Sequence, residues 1–292
     1  MQTPWARLCA ALTLAALFAL LFTPTSSAAS YPVVGRILTT YTAAGGADEL
    51  GEPLGPEVKL VSYSRNTYHQ HFSGGTVYWD GSQGGKVWQN GTIPSLSGVS
   101  AERDALGRYG FKPGVLFRSA KLCNATTNNK RLIAAMMHGG LIVDLRTSGT
   151  CAEPVIPHVT QTRISVPSHA DYERYVTGAT ERKAFEKVLK AIAAEDGPVW
   201  VHCTAGKDRT GWTVAVIMSI LGADQGDILA EYLRTSGADE ADLFEGLDAV
   251  AAKYGDGGTE DGITWTGMGG YVRQGLGLDQ ATIDLLRAKF AA

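Results

Sequence analysis

No two cysteines in this chain form a Cys-x-x-Cys pair; the four stand far apart, at positions 9, 123, 151 and 203. A thiol-exchange centre of that type is thereby excluded. A charge excess is also missing, because 26 Lys and Arg face 29 Asp and Glu, for a formal net charge of −3. So mild an acidic balance gives no footing to nucleic-acid binding or to a general membrane-surface role, and any basic character must be local. Metal-ligand spacing is lacking too. His69 and His71 share one face of an extended run, but without a third ligand at suitable spacing the pair reads as packed or solvated, and no metal or other cofactor is expected. Nor is there an apolar stretch long enough to span a bilayer: Leu8 to Phe22 gives about 15 residues where about 20 are needed.

What occupies that stretch has the form of an export signal. Arg7 precedes it, and Thr23-Pro24-Thr25-Ser26-Ser27-Ala28-Ala29 follows as a small-residue exit. Residues 1–29 are therefore expected to be a secretory leader cleaved after Ala29 or Ala28, with an uncleaved anchor as the alternative. Cys9 leaves with the leader, and three cysteines remain. Cys203 has a chemical reason to stay free. Cys123 and Cys151, each a few residues beyond a strand end, are expected to pair in the oxidising compartment that export implies, the alternative being two free thiols. The destination is expected to be extracellular or envelope-associated.

Short alternating runs and turn signals fill residues 30–95. Val58 to Tyr63, Tyr68 to Phe72 and Thr76 to Trp79 read as strands or hairpin arms, with Gly74-Gly75 as a turn. A small β-rich module is expected there, and Ile93 to Gly98 leads into a second domain, residues 96–292. In that domain Gly114 to Ala120 and Leu141 to Ser148 read as buried strands, Ile164 to Pro167 as a short extended piece and Asn128 to Met137 as a helix. Phe185, Val188, Leu189 and Ile192, spaced i, i+3, i+4, i+7, mark Glu181 to Glu195 as an amphipathic helix. Further helices are expected over Gln225 to Thr235, Glu240 to Tyr254 and Asp279 to Phe290, with a Gly-rich loop from Gly255 to Thr266. This alternation predicts an α/β fold, a mainly parallel central sheet flanked by helices. Sites in such sheets lie at the C-terminal strand ends, where Asp144, Arg146 and Cys203 stand.

The most informative stretch runs from Pro198 to Trp212. A short apolar run to Val201 gives way to a compact polar loop, then to Thr213 to Leu221, an apolar segment ended by Gly222. The reading is strand, loop, buried helix. The backbone N–H groups of Thr204, Ala205, Gly206, Lys207, Asp208 and Arg209 can converge on one point, where the helix N-terminus adds positive potential. Both features favour the thiolate of Cys203, the form that attacks. Arg209 offers a planar fork for two phosphate oxygens, and Thr210 can donate its hydroxyl hydrogen to the thiolate. Lys207 either adds a second cation beside the phosphate or is a solvated loop lysine.

In the order His202-Cys203-x-x-Gly206-x-x-Arg209-Thr210, this stretch resembles the phosphate-binding loop of the cysteine-based protein tyrosine phosphatase superfamily. Phe117-Arg118-Ser119-Ala120, Asp144-Leu145-Arg146, Glu231-Tyr232-Leu233, Gly269-Gly270-Tyr271 and Leu276-Gly277-Leu278 extend the resemblance to a bacterial branch with Lys-Asp inside the loop, some members of which also act on phosphoinositides. The resemblance implies a phosphatase for phosphotyrosine, with lipid or phosphoserine/threonine activity beside it, and phosphorylated proteins or phospholipids as partners. It implies Cys203 as nucleophile, Arg209 and the loop amides as carriers of transition-state charge, and His202, Asp144 and Arg146 in support; Arg146 can orient Asp208, bind substrate or simply close its strand end. The general acid stays open. Better-known tyrosine phosphatases carry it on a Trp-Pro-Asp loop, and no Trp-Pro-Asp occurs here. Asp208, Asp144 and Asp171 are the candidates, in that order; Asp208 can instead pair with Lys207 or an arginine and shape the loop. The reading from another class is an envelope-binding protein whose phosphate site is without catalysis, against which the intact Cys203 and Arg209 argue.

The first module carries its own resemblance. Leu50-Gly51-Glu52-Pro53, Gln70-His71-Phe72, Gly74 to Trp79 and Gly84 to Trp88 resemble an LGFP repeat, a module of secreted and cell-wall-associated bacterial proteins. It departs from that pattern in its single copy and in Glu52, where the name-giving motif has an aromatic residue. The resemblance implies envelope attachment or protein docking by residues 31–95; the alternative is an extension that packs on the main domain.

Overall fold

The computed structural model describes residues 31–60, 66–81, 84–89, 91–137, 139–147, 151–168, 171–255 and 262–292. The expected leader, the end of the Val58 to Tyr63 run, Ser148, and residues 256–261 of the Gly-rich loop lie outside them. Pro32–Ala292 form one compact unit.

Helix α1 (Gly35–Ala43) and the short α2 (Ala47–Leu50) open the chain. An antiparallel sheet follows in the order β1 (Val58–Leu60), β2 (Thr67–Phe72), β3 (Gly75–Asp80), β4 (Gly84–Gln89). β1 to β3 match the sequence reading, with the turn at Ser73-Gly74 and Gly75 already in β3; β4 was not read as a strand, nor was a helix expected at α1. Its three threonines lower helix propensity and it has no side-chain cap. Burial of Ile37 against Leu50, Phe72 and Val77, and stacking of Tyr41 on Phe72 at 4.5 Å, fix it instead.

The second sheet has the order β5-β6-β9-β7-β8. Its strands are β5 (Arg103–Asp104), β6 (Leu116–Ser119), β7 (Leu141–Asp144), β8 (Thr160–Arg163) and β9 (Val199–His202); all are parallel except β5, an antiparallel edge. β7 and β9 hold no polar residue before their last position and are buried throughout, as central parallel strands must be. β8 has the polar sequence Thr-Gln-Thr-Arg and lies at the edge. Ile164 to Pro167, the piece expected to be extended, follows it, and the Ile164 and Val166 N–H groups continue the ladder to the carbonyls of Asp144 and Leu145.

Helices cover both faces. α3 (Thr127–Met137) packs on one, against Phe117, Ile142 and Trp200. The other receives α4 (Glu173–Thr177), α5 (Ala179–Ala194), α6 (Asp208–Ile220), α7 (Gln225–Leu233), α8 (Glu240–Tyr254), α9 (Met268–Gly270) with a π-helical turn at Tyr271–Gly275, and α10 (Gln280–Phe290). Val199 and Val201 point into that second core while Trp200 points into the first, the period-two alternation of a strand. Tyr78 and Trp88 of the N-terminal sheet belong to the α3 core as well. No helix among the described residues is long and apolar enough to cross a membrane.

Candidate active site

The loop between β9 and α6 is held by its carbonyls. Lys121 N–H donates to Thr204 O at 3.2 Å, and the Arg118 guanidinium donates to Gly206 O. A trans peptide points C=O and the next N–H in opposite directions. With both carbonyls drawn outward to residues 118–121, the N–H groups of Ala205 and Lys207 face away from them. Gly206 is at φ +72°, and a Cβ there would come within 2.7 Å of Ser119 O and Ala120 N, so no other residue fits.

Arg118 is itself pinned. Its Nη1 lies 2.6 Å from Glu231 Oε2, and Arg103 Nε lies 2.7 Å from Glu231 Oε1. Thr235 Oγ1 accepts from both arginines. This cluster of two guanidiniums and one carboxylate is buried, and its net positive charge lies beneath the phosphate loop.

Among the described residues Cys203 is the free cysteine, and it is 1 % exposed; Cys123 and Cys151 form the expected disulfide. Arg209, in the first turn of α6, is buried. Its Nη1 donates to Leu145 O at 3.3 Å and Val166 O at 3.4 Å, and its Nη2 to Thr204 Oγ1 at 3.2 Å. Arg209 Nε and Thr210 Oγ1 are buried with no partner among the described residues. An orphaned buried donor carries a desolvation cost, and two in one turn suit an anionic acceptor.

The three candidate acids separate. Asp144 is 2 % exposed and receives Arg146 N–H and Nε on Oδ1 and Arg146 Nη2 and Arg163 Nε on Oδ2, all at 2.8 to 3.0 Å. Burial pushes its carboxyl up, but those Arg146 and Arg163 bonds outweigh burial and hold it below the usual range. A carboxylate so occupied cannot carry the proton. Asp171 is exposed, one residue before Tyr172. Asp208, at the first position of α6, takes Tyr172 OH at 2.9 Å and Lys207 Nζ at 3.2 Å on Oδ1.

Lys207 also meets Asp242 Oδ2 at 3.1 Å. Burial pulls its ammonium down, but Asp242 and Asp208 prevail and raise it. The lysine is therefore paired, not merely solvated. Arg146 has no bond to Asp208 among the described residues; it closes the end of β7 through Asp144 and Glu153. His202 is fully buried, with Nδ1 3.4 Å from Cys203 O and Nε2 3.0 Å from Glu153 Oε1. Asp144, Glu153 and His202 bring ligand-type atoms within 4.8 Å of one another. Two guanidiniums already fill Asp144, and a further cation there would be repelled, so the cluster reads as an ion-pair network. Glu153, Asp242, Tyr172 and the strut role of Glu231 were not read from the sequence; only Glu231 and Tyr232 stood in a motif that hinted at them.

Residues 99–292 match the model of the tyrosine phosphatase family. A triple specificity protein phosphatase of Mycobacterium tuberculosis, PtpB, is 29% identical over 145 residues, 40% of this chain and 52% of that protein. A putative tyrosine-protein phosphatase of Cupriavidus necator is 54% identical over 56 residues, 19% of this chain and 20% of that one. The chain thus spans about half the length of the first relative and less of the second. The crystal structure of P. aeruginosa TpbA is 21% identical, covering 69% of this chain and 94% of that one, with a TM-score of 0.37.

Proposed function

Because the chain belongs to the tyrosine phosphatase family, we propose that it hydrolyses phosphomonoesters through a cysteinyl-phosphate. Cys203 Sγ attacks phosphorus in line as the bond to the leaving oxygen breaks, and Asp208 gives that oxygen its proton. Water then attacks phosphorus, Asp208 takes the water's proton, and the P–S bond breaks to release inorganic phosphate and the thiolate. Arg209 and the loop amides carry the equatorial charge in both steps. The carrying observation is that Arg209 Nε and Thr210 Oγ1, both in the first turn of the helix that follows Cys203, are buried without a partner among the described residues.

Phosphotyrosine is the first substrate, with phosphoinositides and phosphoserine/threonine beside it; the name of the Mycobacterium tuberculosis relative supports a broad range. Export is supported by the leader-like residues 1–29 and the Cys123–Cys151 pair. Residues 30–95 are proposed as an LGFP-like module that attaches the enzyme to the envelope, with 96–292 as the catalytic domain. The test is phosphate release by residues 30–292 with chelator present, on an aryl phosphate, phosphopeptides and phosphoinositides. Wild type is expected to release phosphate and Cys203→Ser none. Release undiminished in Cys203→Ser would overturn the mechanism.

A further inference from the structure

The carboxyl group read as the acid does not hold its own position. Both donors to Asp208 fall on Oδ1, and Oδ2 has no bond among the described residues. The donor from Tyr172 is not alone, because Tyr172 OH lies 2.7 Å from Tyr232 OH. We propose that Tyr172 and Tyr232 are positioning residues for the reaction, a pair of phenols that fixes the Asp208 carboxyl with Oδ2 turned to the leaving oxygen. This goes beyond the mechanism above and rests on its assignment of Asp208.

Proton counting gives the chain its direction. A neutral phenol has one hydrogen to donate. Burial first, and then the neighbouring hydroxyl and carboxylate, push the Tyr172 phenol up; burial likewise pushes Tyr232 up to about 12. Both are neutral at working pH. Tyr172 spends its hydrogen on Asp208 Oδ1, so the hydrogen between the two phenols belongs to Tyr232. The order is Tyr232 to Tyr172 to Asp208. With Oδ1 accepting, a proton on this carboxyl sits on Oδ2, the atom that can deliver it.

The surroundings fix both phenols. Tyr172 is fully buried, with ring centroids of Tyr175, Tyr232 and Trp212 at 5.1, 6.3 and 6.4 Å, and its N–H donates to Glu245 Oε2 at 3.0 Å. Only its polar tip is left to direct, and it points at Asp208. Tyr232 reaches it from α7 because Gly211 lets the helices touch: a Cβ on Gly211 would lie 2.8 Å from the Tyr232 ring. Two hydroxyls meant only to satisfy each other would not need the carboxylate. Rings so enclosed also cannot swing to another acceptor without repacking.

The test is kcat/KM, which reports the first chemical step, over a series of phosphate esters from p-nitrophenyl to phenyl to alkyl. Tyr172→Phe, Tyr232→Phe and Asp208→Asn are compared with wild type, each checked by its melting curve; Phe keeps the ring and removes only the hydroxyl. Asp208→Asn is expected to lose more the poorer the leaving group. Tyr172→Phe is expected to show the same selectivity, about ten- to a hundredfold down on phenyl phosphate and within about threefold on p-nitrophenyl phosphate, the range for removing one hydrogen bond to a charged group. Tyr232→Phe follows the same pattern more weakly. A uniform loss or no loss in Tyr172→Phe, beside a selective Asp208→Asn, would overturn the positioning role and leave the tyrosines as packing. A non-selective Asp208→Asn would instead overturn the acid assignment, and the positioning role with it.

Discussion

Gly206 shows how one residue sets the site. Its left-handed φ of +72° and the 2.7 Å approach to Ser119 O and Ala120 N leave no room for a methyl group. Gly206→Ala should push the loop off the 118–121 segment, lowering phosphate release on the order of a hundredfold, the penalty for about 1 Å of misplacement; a rate within about threefold of wild type would show that the loop tolerates the shift. Asp144 makes the corresponding statement about pH. Its folded carboxyl is held below the unfolded value of about 3.9, although burial alone would raise it, because Arg146 and Arg163 bond the charged form. The stability it contributes is complete above that unfolded value and is lost as pH falls through the folded one. Asp144→Asn should cost about 3 kcal/mol near neutrality, the low end for breaking a buried pair, because Arg146 keeps Glu153 and Arg163 is partly exposed, and urea melts should show the gap to wild type narrowing below about pH 4. A gap independent of pH would contradict this. Cys203, Asp208, Arg209 and Thr210 could be put forward from the sequence because one contiguous stretch holds them. Tyr172 could not, because its partners Asp208 and Tyr232 lie 36 and 60 residues away and no periodicity marks a residue in an irregular segment.

At the scale of elements, the phosphate loop stands on a strut from α7. Glu231 bridges β5 and β6 by taking Arg103 and Arg118, and Arg118 passes the restraint to Gly206 O. Glu231→Gln keeps the shape and removes the one negative charge between two buried guanidiniums. It should cost about 3–5 kcal/mol and lower kcat with the loop, whereas a variant with unchanged Tm and unchanged kcat would show that the strut is idle. Such a strut cannot be read along the chain, since Arg118 and Arg103 lie 113 and 128 residues from Glu231. The elements it joins could be. β7 and β9 are apolar runs, α5 and α8 have apolar periodicity or clear ends, and the strand–loop–helix carries its own punctuation. α1 and β8 escaped for the opposite reason: a threonine-rich helix and a polar edge strand have weak local signals, and tertiary contacts decide them.

For the whole molecule the question is whether residues 30–95 are a passenger. Their sheet has a core of its own around Phe72 and Val77. Tyr78 and Trp88, however, leave that core and enter the one built by α3 with Phe117, Ile142 and Trp200, where they are 1% and 6% exposed. Arg234, which follows α7, donates to Gly91 O just after β4. Cutting the chain near residue 95 would thus strip two aromatic side chains from the core beneath the central sheet, whose strand β9 leads straight into the phosphate loop. Apolar burial is cooperative across such a shared core, so Pro32–Ala292 should melt in one transition, not two. Trp88→Ala should cost about 3–5 kcal/mol, the usual loss for truncating a buried aromatic, which for a domain of this size lowers the melting temperature on the order of 10 °C. The informative reading is which signals move. If near-UV circular dichroism and phosphate release are lost together at the lower temperature, the module is part of the catalytic fold and any envelope contact it makes must use its other face. If the module melts early while phosphate release persists to the wild-type temperature, Tyr78 and Trp88 contribute only to a detachable docking surface.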